Sequence, residues 1–69
     1  MSWFNEQVLG YCEREEITLR EFAPRMDVSE RLLHMKMRGQ RGITAKDMYN
    51  LARLLGTSME RVYVMTQRV

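Results

Sequence analysis

The chain has 69 residues, of which 45% are hydrophobic and 29% charged, a composition typical of a folded protein rather than a disordered one. This length gives room for one domain, residues 1–69, and the single cysteine (Cys12) and single histidine (His34) exclude an internal disulfide and a zinc site of about four ligands. The unpaired cysteine, an N-terminus without a basic and apolar leader, and apolar runs far below the ~20 residues of a membrane span predict a cytoplasmic protein.

The charge is distributed unevenly along the chain. The net charge is +2, but residues 1–30 carry seven acidic and three basic residues, whereas residues 31–69 carry two acidic and eight basic ones. Five of these bases fall between positions 31 and 46. Such an asymmetry is typical either of a surface that meets a polyanion or of an ordinary solvated surface, and charge alone leaves both interpretations open.

Two helices are predicted in the acidic part of the chain. The first runs from about Trp3 to Glu16 and is capped by Ser2. Its apolar face consists of Phe4, Val8, Tyr11 and Cys12. The second follows Thr18, whose spacing to Glu21 is that of a capping box. Pro24 predicts that this helix is short or kinked and ends near Met26.

Three further helices are predicted in the basic part. The third runs from about Ser29 to Arg38, with Ser29 or Asp27 as its cap, and Gly39 stops it. The fourth is capped by Thr44, with Asp47 in capping-box spacing, and ends at Gly56.

The fifth helix is predicted to begin at Thr57, which has capping-box spacing to Glu60. Its inward residues are predicted to be Met59, Val62 and Tyr63. After about Met65 the pattern leaves helix, strand and disorder open, and the high β-propensity of residues 62–65 allows a terminal strand as the alternative to a fifth helix.

These elements predict an all-α, compact five-helix domain that contains a helix-turn-helix. The second helix closes into a tight turn just before the third, and a basic loop flanked by Gly39 and Gly42 follows. On a helical wheel the third helix has Leu32, Leu33 and Met37 on one side. The residues on its other side are Glu30, Arg31, His34 and Arg38.

The segment from about residue 11 to residue 65 resembles a known family. The motifs that carry the resemblance are Thr18-Leu19-Arg20-Glu21-Phe22-Ala23, Met26-Asp27-Val28-Ser29, Leu33, Arg38-Gly39-Gln40, Gly42-Ile43-Thr44 and Leu51-Ala52-Arg53-Leu54-Leu55-Gly56-Thr57-Ser58. Their spacing resembles the XRE/Cro/phage-repressor helix-turn-helix family, and the passage around Thr44 is also similar to helix-turn-helix antitoxins. The resemblance implies a lambda-repressor-like fold with its helix-turn-helix core at about residues 18–38.

The resemblance also implies a set of DNA contacts. The residues expected to read base edges are Glu30, Arg31, His34 and Met35. The residues expected to contact phosphates are Arg38, Gln40, Arg41 and Lys46. The amides at the start of the second helix, near Thr18, are expected to bind a further phosphate because a helix N-terminus attracts anions. The chemistry agrees, since Arg31 can donate twice to guanine, Glu30 can accept from the cytosine amino group, and Met35 can contact a thymine methyl group.

Three positions depart from the family pattern, and one of them is Pro24, which interrupts the second helix. Asp27 stands where glycine is usual in the turn, and we expect it to adopt the left-handed backbone that aspartate tolerates. Lys36 stands where a buried hydrophobe is expected, and we expect its methylenes to follow the edge of the core with the ammonium in solvent.

The expected function is a sequence-specific DNA-binding transcriptional regulator, a repressor or autoregulator of phage or mobile-element type, with helix 29–38 in the major groove. We expect a homodimer on double-stranded DNA, with dimer contacts at Val64, Met65 and Val69. The alternative is a protein-binding module on the same fold, an antitoxin or an inhibitor of a host protein, which Glu30, Lys36 and the methionine content favour. We do not expect an enzyme, a cofactor or a metal site, because the sequence contains no nucleophile–base pair, cofactor motif or metal-ligand cluster.

Overall fold

Five helices account for the regular structure of residues 2–67, the part of the chain that the computed structural model describes. The helices are α1 Trp3–Glu15, α2 Leu19–Arg25, α3 Glu30–Met37, α4 Ala45–Leu55 and α5 Met59–Thr66. No strand occurs in this range, so the prediction of an all-α, five-helix chain is confirmed there. The end of the chain, where the sequence left helix and strand open, is helical as far as Thr66.

Each helix begins after a hydroxyl side chain that accepts a hydrogen bond from a backbone N–H three residues later. The capping residues are Ser2, Thr18, Ser29, Thr44 and Ser58. Ser2, Thr18 and Thr44 are those that the sequence predicts, and of the two caps that it allows for α3 the structure uses Ser29. The predicted cap at Thr57 is wrong by one residue. The Thr57 amide donates to the Ala52 carbonyl, 2.9 Å away, and therefore belongs to the turn that closes α4.

Four helices end at a residue with left-handed backbone, followed by the paired hydrogen bonds of a Schellman motif. These residues are Glu16, Asp27, Gly39 and Gly56. Asp27 has a φ of 59°, which confirms the conformation expected of it. Glu16 adopts a φ of 55° without any sequence signal for it, because the chain turns there to pack Ile17 against the core.

The core lies between α1, the α2–α3 pair and the inner faces of α4 and α5. Its buried apolar residues are Phe4, Val8, Tyr11, Cys12, Phe22, Ala23, Met26, Leu33, Leu51, Ala52 and Val62. The predicted face of α1 is confirmed in full. In α5 only Val62 is buried, whereas Met59 is 40% and Tyr63 58% exposed, so their predicted inward placement is wrong. The reason is geometric for Tyr63, which lies about 100° around the helix from Val62, the one buried residue of α5.

Two asparagine side chains tie the ends of the α2–α3 pair to the rest of the molecule. Asn50 Nδ2 on α4 donates to the Met26 carbonyl at 3.0 Å, and Asn5 Nδ2 on α1 donates to the Met37 carbonyl at 2.9 Å. Met37 is the last residue of α3 and Met26 directly follows α2, and carbonyls at such positions lack partners within the helix. The two amides therefore satisfy helix ends and fix the position of α3 at the same time.

The side chain of Lys36 is buried, with only 6% of its area exposed. Its ammonium donates to the Asp47 carboxylate and, at 3.2 Å, to the Gly42 carbonyl. The expectation that this ammonium reaches solvent is therefore wrong. The physical reason is that Asp47, at the start of α4, offers the buried cation a charged acceptor, and burial of a charge is tolerated when it is paired and hydrogen-bonded.

Asp47 serves two purposes in the fold. Its carboxylate accepts from the Thr44 amide at 2.9 Å, completing the predicted capping box, and also receives the Lys36 ammonium. Burial of the carboxyl acts to raise the pKa of Asp47, but the hydrogen bonds from Lys36 and Thr44 act the other way, and the pKa is lowered from its ordinary value of 3.8. The ionised pair therefore joins α3, the α3–α4 loop and α4.

We expect Lys36→Met to lower the free energy of unfolding by about 3–5 kcal/mol, because it leaves the buried Asp47 carboxylate without its counterion. The double variant Lys36→Met/Asp47→Asn should recover part of this loss, since it removes the unpaired charge. Lys46→Met is the matched control: its ion pair with Asp27 is exposed and should cost less than about 1 kcal/mol. Urea denaturation followed by helical circular dichroism at neutral pH measures all three, and equal losses in Lys36→Met and Lys46→Met would contradict the role of the buried pair.

The lowered pKa of Asp47 also predicts a pH dependence. Stability that depends on the ionised carboxylate is complete above the ordinary, unfolded-state pKa of 3.8 and is lost as the pH falls through the lower folded-state pKa. The free energy of unfolding should therefore decrease as the pH is lowered from about 4 toward 2. Asp47→Asn should show a shallower decrease in the same urea titrations, and an unchanged pH dependence in this variant would count against the assignment.

Candidate nucleic-acid interface

Helix α3 presents one side to the core and the other to solvent. Leu33 is fully buried and Lys36 is held by Asp47, so these two residues define the inner side. Arg31 and Arg38 are exposed, and His34 is partly exposed. The helix begins at Ser29, whose hydroxyl accepts from the Leu32 amide at 3.1 Å, so its first turn is ordered by its own cap.

A shallow groove of about 350 Å³ runs along the outer side of α3 into the following loop. The residues that line it are Arg31, His34, Met35, Arg38 and Gln40. All five were singled out from the sequence, and the structure brings them onto one surface. Two guanidinium groups, an imidazole and an amide give this surface many hydrogen-bond donors, and Met35 adds an apolar element.

The loop after α3 holds its polar residues in a defined position. Gly39 has a φ of 79°, and the Gln40 amide donates to the Met35 carbonyl at 2.9 Å. Gln40 and Arg41 are both exposed. The Schellman motif therefore turns the chain so that Gln40 continues the groove of α3.

The cations of this surface differ in whether they are paired. Arg31, Arg38 and Arg41 make no ion pair with any carboxylate in residues 2–67. Lys46 differs, because its Nζ lies 3.0 Å from Asp27 Oδ2 and it does not line the α3 groove. The uncompensated positive charge therefore belongs to the three arginines, while Lys46 links the α2–α3 turn to the start of α4.

Glu30 occupies the first position of α3 and lies between two donors. Its Oε1 is 3.4 Å from Arg20 Nε on α2, and its Oε2 is 3.6 Å from His34 Nε2 one turn further along α3. Glu30 and His34 also border a second shallow depression with the first turn of α2. Sequence reasoning missed Arg20, although the predicted close packing of α2 on α3 brings the first turns of both helices together.

Thr18 is engaged within its own helix start. Its amide donates to Glu21 Oε1 at 3.1 Å, and its hydroxyl oxygen accepts from the Glu21 amide at 3.2 Å. The Glu21 carboxylate thus already sits at this helix end, where the sequence suggested a phosphate. Of the predicted phosphate contacts, the exposed and unpaired ones are Arg38, Gln40 and Arg41.

Helix α5 carries the residues expected at a dimer contact. Val64 is 55% exposed and Met65 is half-buried, and both line a groove of about 420 Å³ together with Ser58, Glu60 and Arg61. Tyr49 on α4 and Tyr63 on α5 are also more than half exposed. The third predicted contact, Val69, lies outside the described residues.

Compared with protein-family models, with curated proteins and with solved structures, the chain matches none of them. Among residues 2–67, no helix combines the length and the apolar composition that crossing a membrane requires.

Proposed function

We propose that this protein is a sequence-specific DNA-binding transcriptional regulator that inserts α3 into the major groove of double-stranded DNA. The observation that carries the proposal is the outer side of α3, where Arg31 and Arg38 are exposed, unpaired with any described carboxylate and next to further donors in one groove. DNA offers the complementary chemistry, because base edges and phosphates in the major groove present acceptors. An α-helix fits that groove, which is about 12 Å wide.

The proposed contacts are of two kinds: contacts to base edges, which select the sequence, and contacts to phosphates, which position the protein on the DNA. In this proposal Arg31 donates to guanine, Glu30 accepts from cytosine and Met35 contacts a thymine methyl group, with His34 beside them. The phosphate contacts come from Arg38, Gln40 and Arg41 and hold the register without reading sequence. Because these residues follow one another along α3 and its loop, a single docking orientation serves both purposes.

The way α3 is held supports this function. A helix that reads bases must keep its side chains in one geometry, and three ties fix α3: the Leu33 side chain in the core, the Lys36 ammonium on Asp47, and the Met37 carbonyl on Asn5. None of these ties uses a side chain of the outer surface. The outer surface is therefore free for DNA while its support stays intact.

Two parts of the proposal rest on the resemblance to the XRE/Cro/phage-repressor family: that the protein represses rather than activates transcription, and that it belongs to a phage or another mobile element. A domain of this size on a promoter acts by occupancy, so repression or autoregulation is the expected outcome. Phage or other mobile-element regulation is the corresponding biological setting.

The proposal includes a symmetric homodimer, since two half-sites about one helical turn apart are read by two copies of the helix. The α5 groove suits such a contact because Val64 and Met65 supply apolar surface and Glu60 lies next to Arg61. A twofold axis through this face allows Glu60 of one copy to meet Arg61 of the other.

A protein partner is the second candidate function, an antitoxin or an inhibitor on the same fold. The observation that favours it is the exposure of Tyr49 and Tyr63, because tyrosine is enriched at protein interfaces. A stoichiometric complex with a purified partner, lost in Tyr63→Ala, together with no DNA shift at low salt, would favour this candidate over DNA binding.

Selection of bound sequences from a random DNA pool tests the proposal directly, and the enriched site then serves for fluorescence polarisation. Binding should weaken as salt is raised from about 50 to 200 mM. Arg31→Ala should cost about 1–3 kcal/mol and relax the preference at one base position, whereas Arg41→Ala should weaken all sequences alike and reduce the salt slope by about 1. Arg14→Ala removes the same charge from the exposed side of α1 and should change neither. No enrichment, or equal effects of Arg31→Ala and Arg14→Ala, would overturn the proposal.

The homodimer predicts a solution mass of twice that of one chain in light scattering. Val64→Asp should convert it to the single-chain mass without loss of helical signal, because Val64 is exposed and the new charge would be buried only in the dimer. Leu9→Asp is the control, since Leu9 is an exposed apolar residue on α1. A dimer that survives Val64→Asp would show that the contact lies elsewhere.

A further inference from the structure

Arg20 is the one cation of α2 that reaches α3. It lies in the first turn of α2, and its Nε donates to Oε1 of Glu30, the first residue of α3, at 3.4 Å. The pair thus spans the helix-turn-helix at the point where both helices begin. Glu30 has a second neighbour, His34 Nε2, at 3.6 Å from its other oxygen.

Stability does not account for this pair. The Arg20 side chain is 84% exposed and the Glu30 side chain 42% exposed, and ion pairs in such surroundings contribute little to folding. The pair does change the local charge around the Glu30 carboxylate and the orientation of that carboxylate. A carboxylate that approaches DNA is repelled by phosphates, and an adjacent guanidinium offsets that charge and restricts the orientation of the carboxylate.

The carboxylate keeps room for a further partner. An ionised carboxylate has about four acceptor positions on its two oxygens, and within residues 2–67 the only hydrogen bond to the Glu30 carboxylate comes from Arg20. The remaining positions can accept from an amino group such as N4 of cytosine. Arg20 donates through Nε only, and its Nη groups make no hydrogen bond within residues 2–67, so they remain available to a phosphate.

We infer that Arg20 is the positioning residue for Glu30: it neutralises and orients the Glu30 carboxylate so that the protein selects cytosine at the position that Glu30 reads. The inference rests on the proposed function, since it concerns the DNA face of α3. His34 is a weaker partner for this purpose because its ring is charged only when protonated, whereas the guanidinium is always charged. Arg20 also acts from α2 and thereby couples the start of that helix to base selection.

The test is the base preference at each position of the site that the wild-type protein enriches. We compare wild type, Arg20→Ala, Arg20→Lys, Glu30→Gln and Arg20→Ala/Glu30→Gln by polarisation at one salt concentration. Wild type should prefer cytosine at one position by roughly five- to 150-fold. Arg20→Ala and Glu30→Gln should each lose most of this preference, and the double variant should resemble Glu30→Gln. Arg20→Lys keeps the charge without the guanidinium fork, so it should restore affinity better than selectivity.

Arg41→Ala is the matched control, because it removes one cation from the same face without touching Glu30. Arg20→Ala could instead weaken binding to all sequences equally, as Arg41→Ala should, and leave the cytosine preference intact. That result would make Arg20 a phosphate contact and would overturn this inference but not the proposed function. Additive losses in the double variant would also overturn the inference. If wild type enriches no sequence, the proposed function itself fails, and that result is distinct from both.

Discussion

The buried ion pair between Lys36 and Asp47 is the constraint on which the arrangement of this molecule depends. It joins the inner side of α3 to the start of α4, and the same ammonium also holds the Gly42 carbonyl of the loop between them. A buried pair of this kind is costly to break, because either partner alone would be an uncompensated charge. Three segments are therefore locked together by one contact that lies beneath the outer face of α3.

The charges inside the molecule and those outside α3 are treated differently. The Asp47 carboxylate is buried and binds the Lys36 ammonium. Arg31, Arg38 and Arg41 have no acidic partner within residues 2–67. The buried charges are thus paired with each other, while the positive charges of the outer face stay available to an anionic ligand.

The sequence predicts most of the fold, because caps and helical periodicity are local signals. Ser2, Thr18, Ser29 and Thr44 begin helices as expected, and the apolar face of α1 is buried as expected. The prediction fails where the burial of a side chain depends on a partner far along the sequence. The ammonium of Lys36 is buried because its acceptor, Asp47, lies eleven positions away.

In the candidate site, too, some features could be predicted from the sequence and others could not. The outward residues of α3 follow from its periodicity, and the structure gathers five of the predicted ones into one groove. The Arg20–Glu30 contact and the pairing of Lys46 with Asp27 depend on how helices meet, and periodicity carries no information about that. The inward placement predicted for Tyr63 is wrong for a related reason, since only Val62 of α5 is buried when the helix packs on its neighbours.

The burial of Cys12 in the α1 face has a practical consequence. Burial raises the pKa of its thiol, an effect that nearby Arg25 only partly opposes, so at neutral pH the sulfur is protonated and shielded from reagents. A maleimide dye can then attach only when the helices separate. The rate at which Cys12 is labelled therefore reports how often the fold opens, and no cysteine has to be introduced for this measurement.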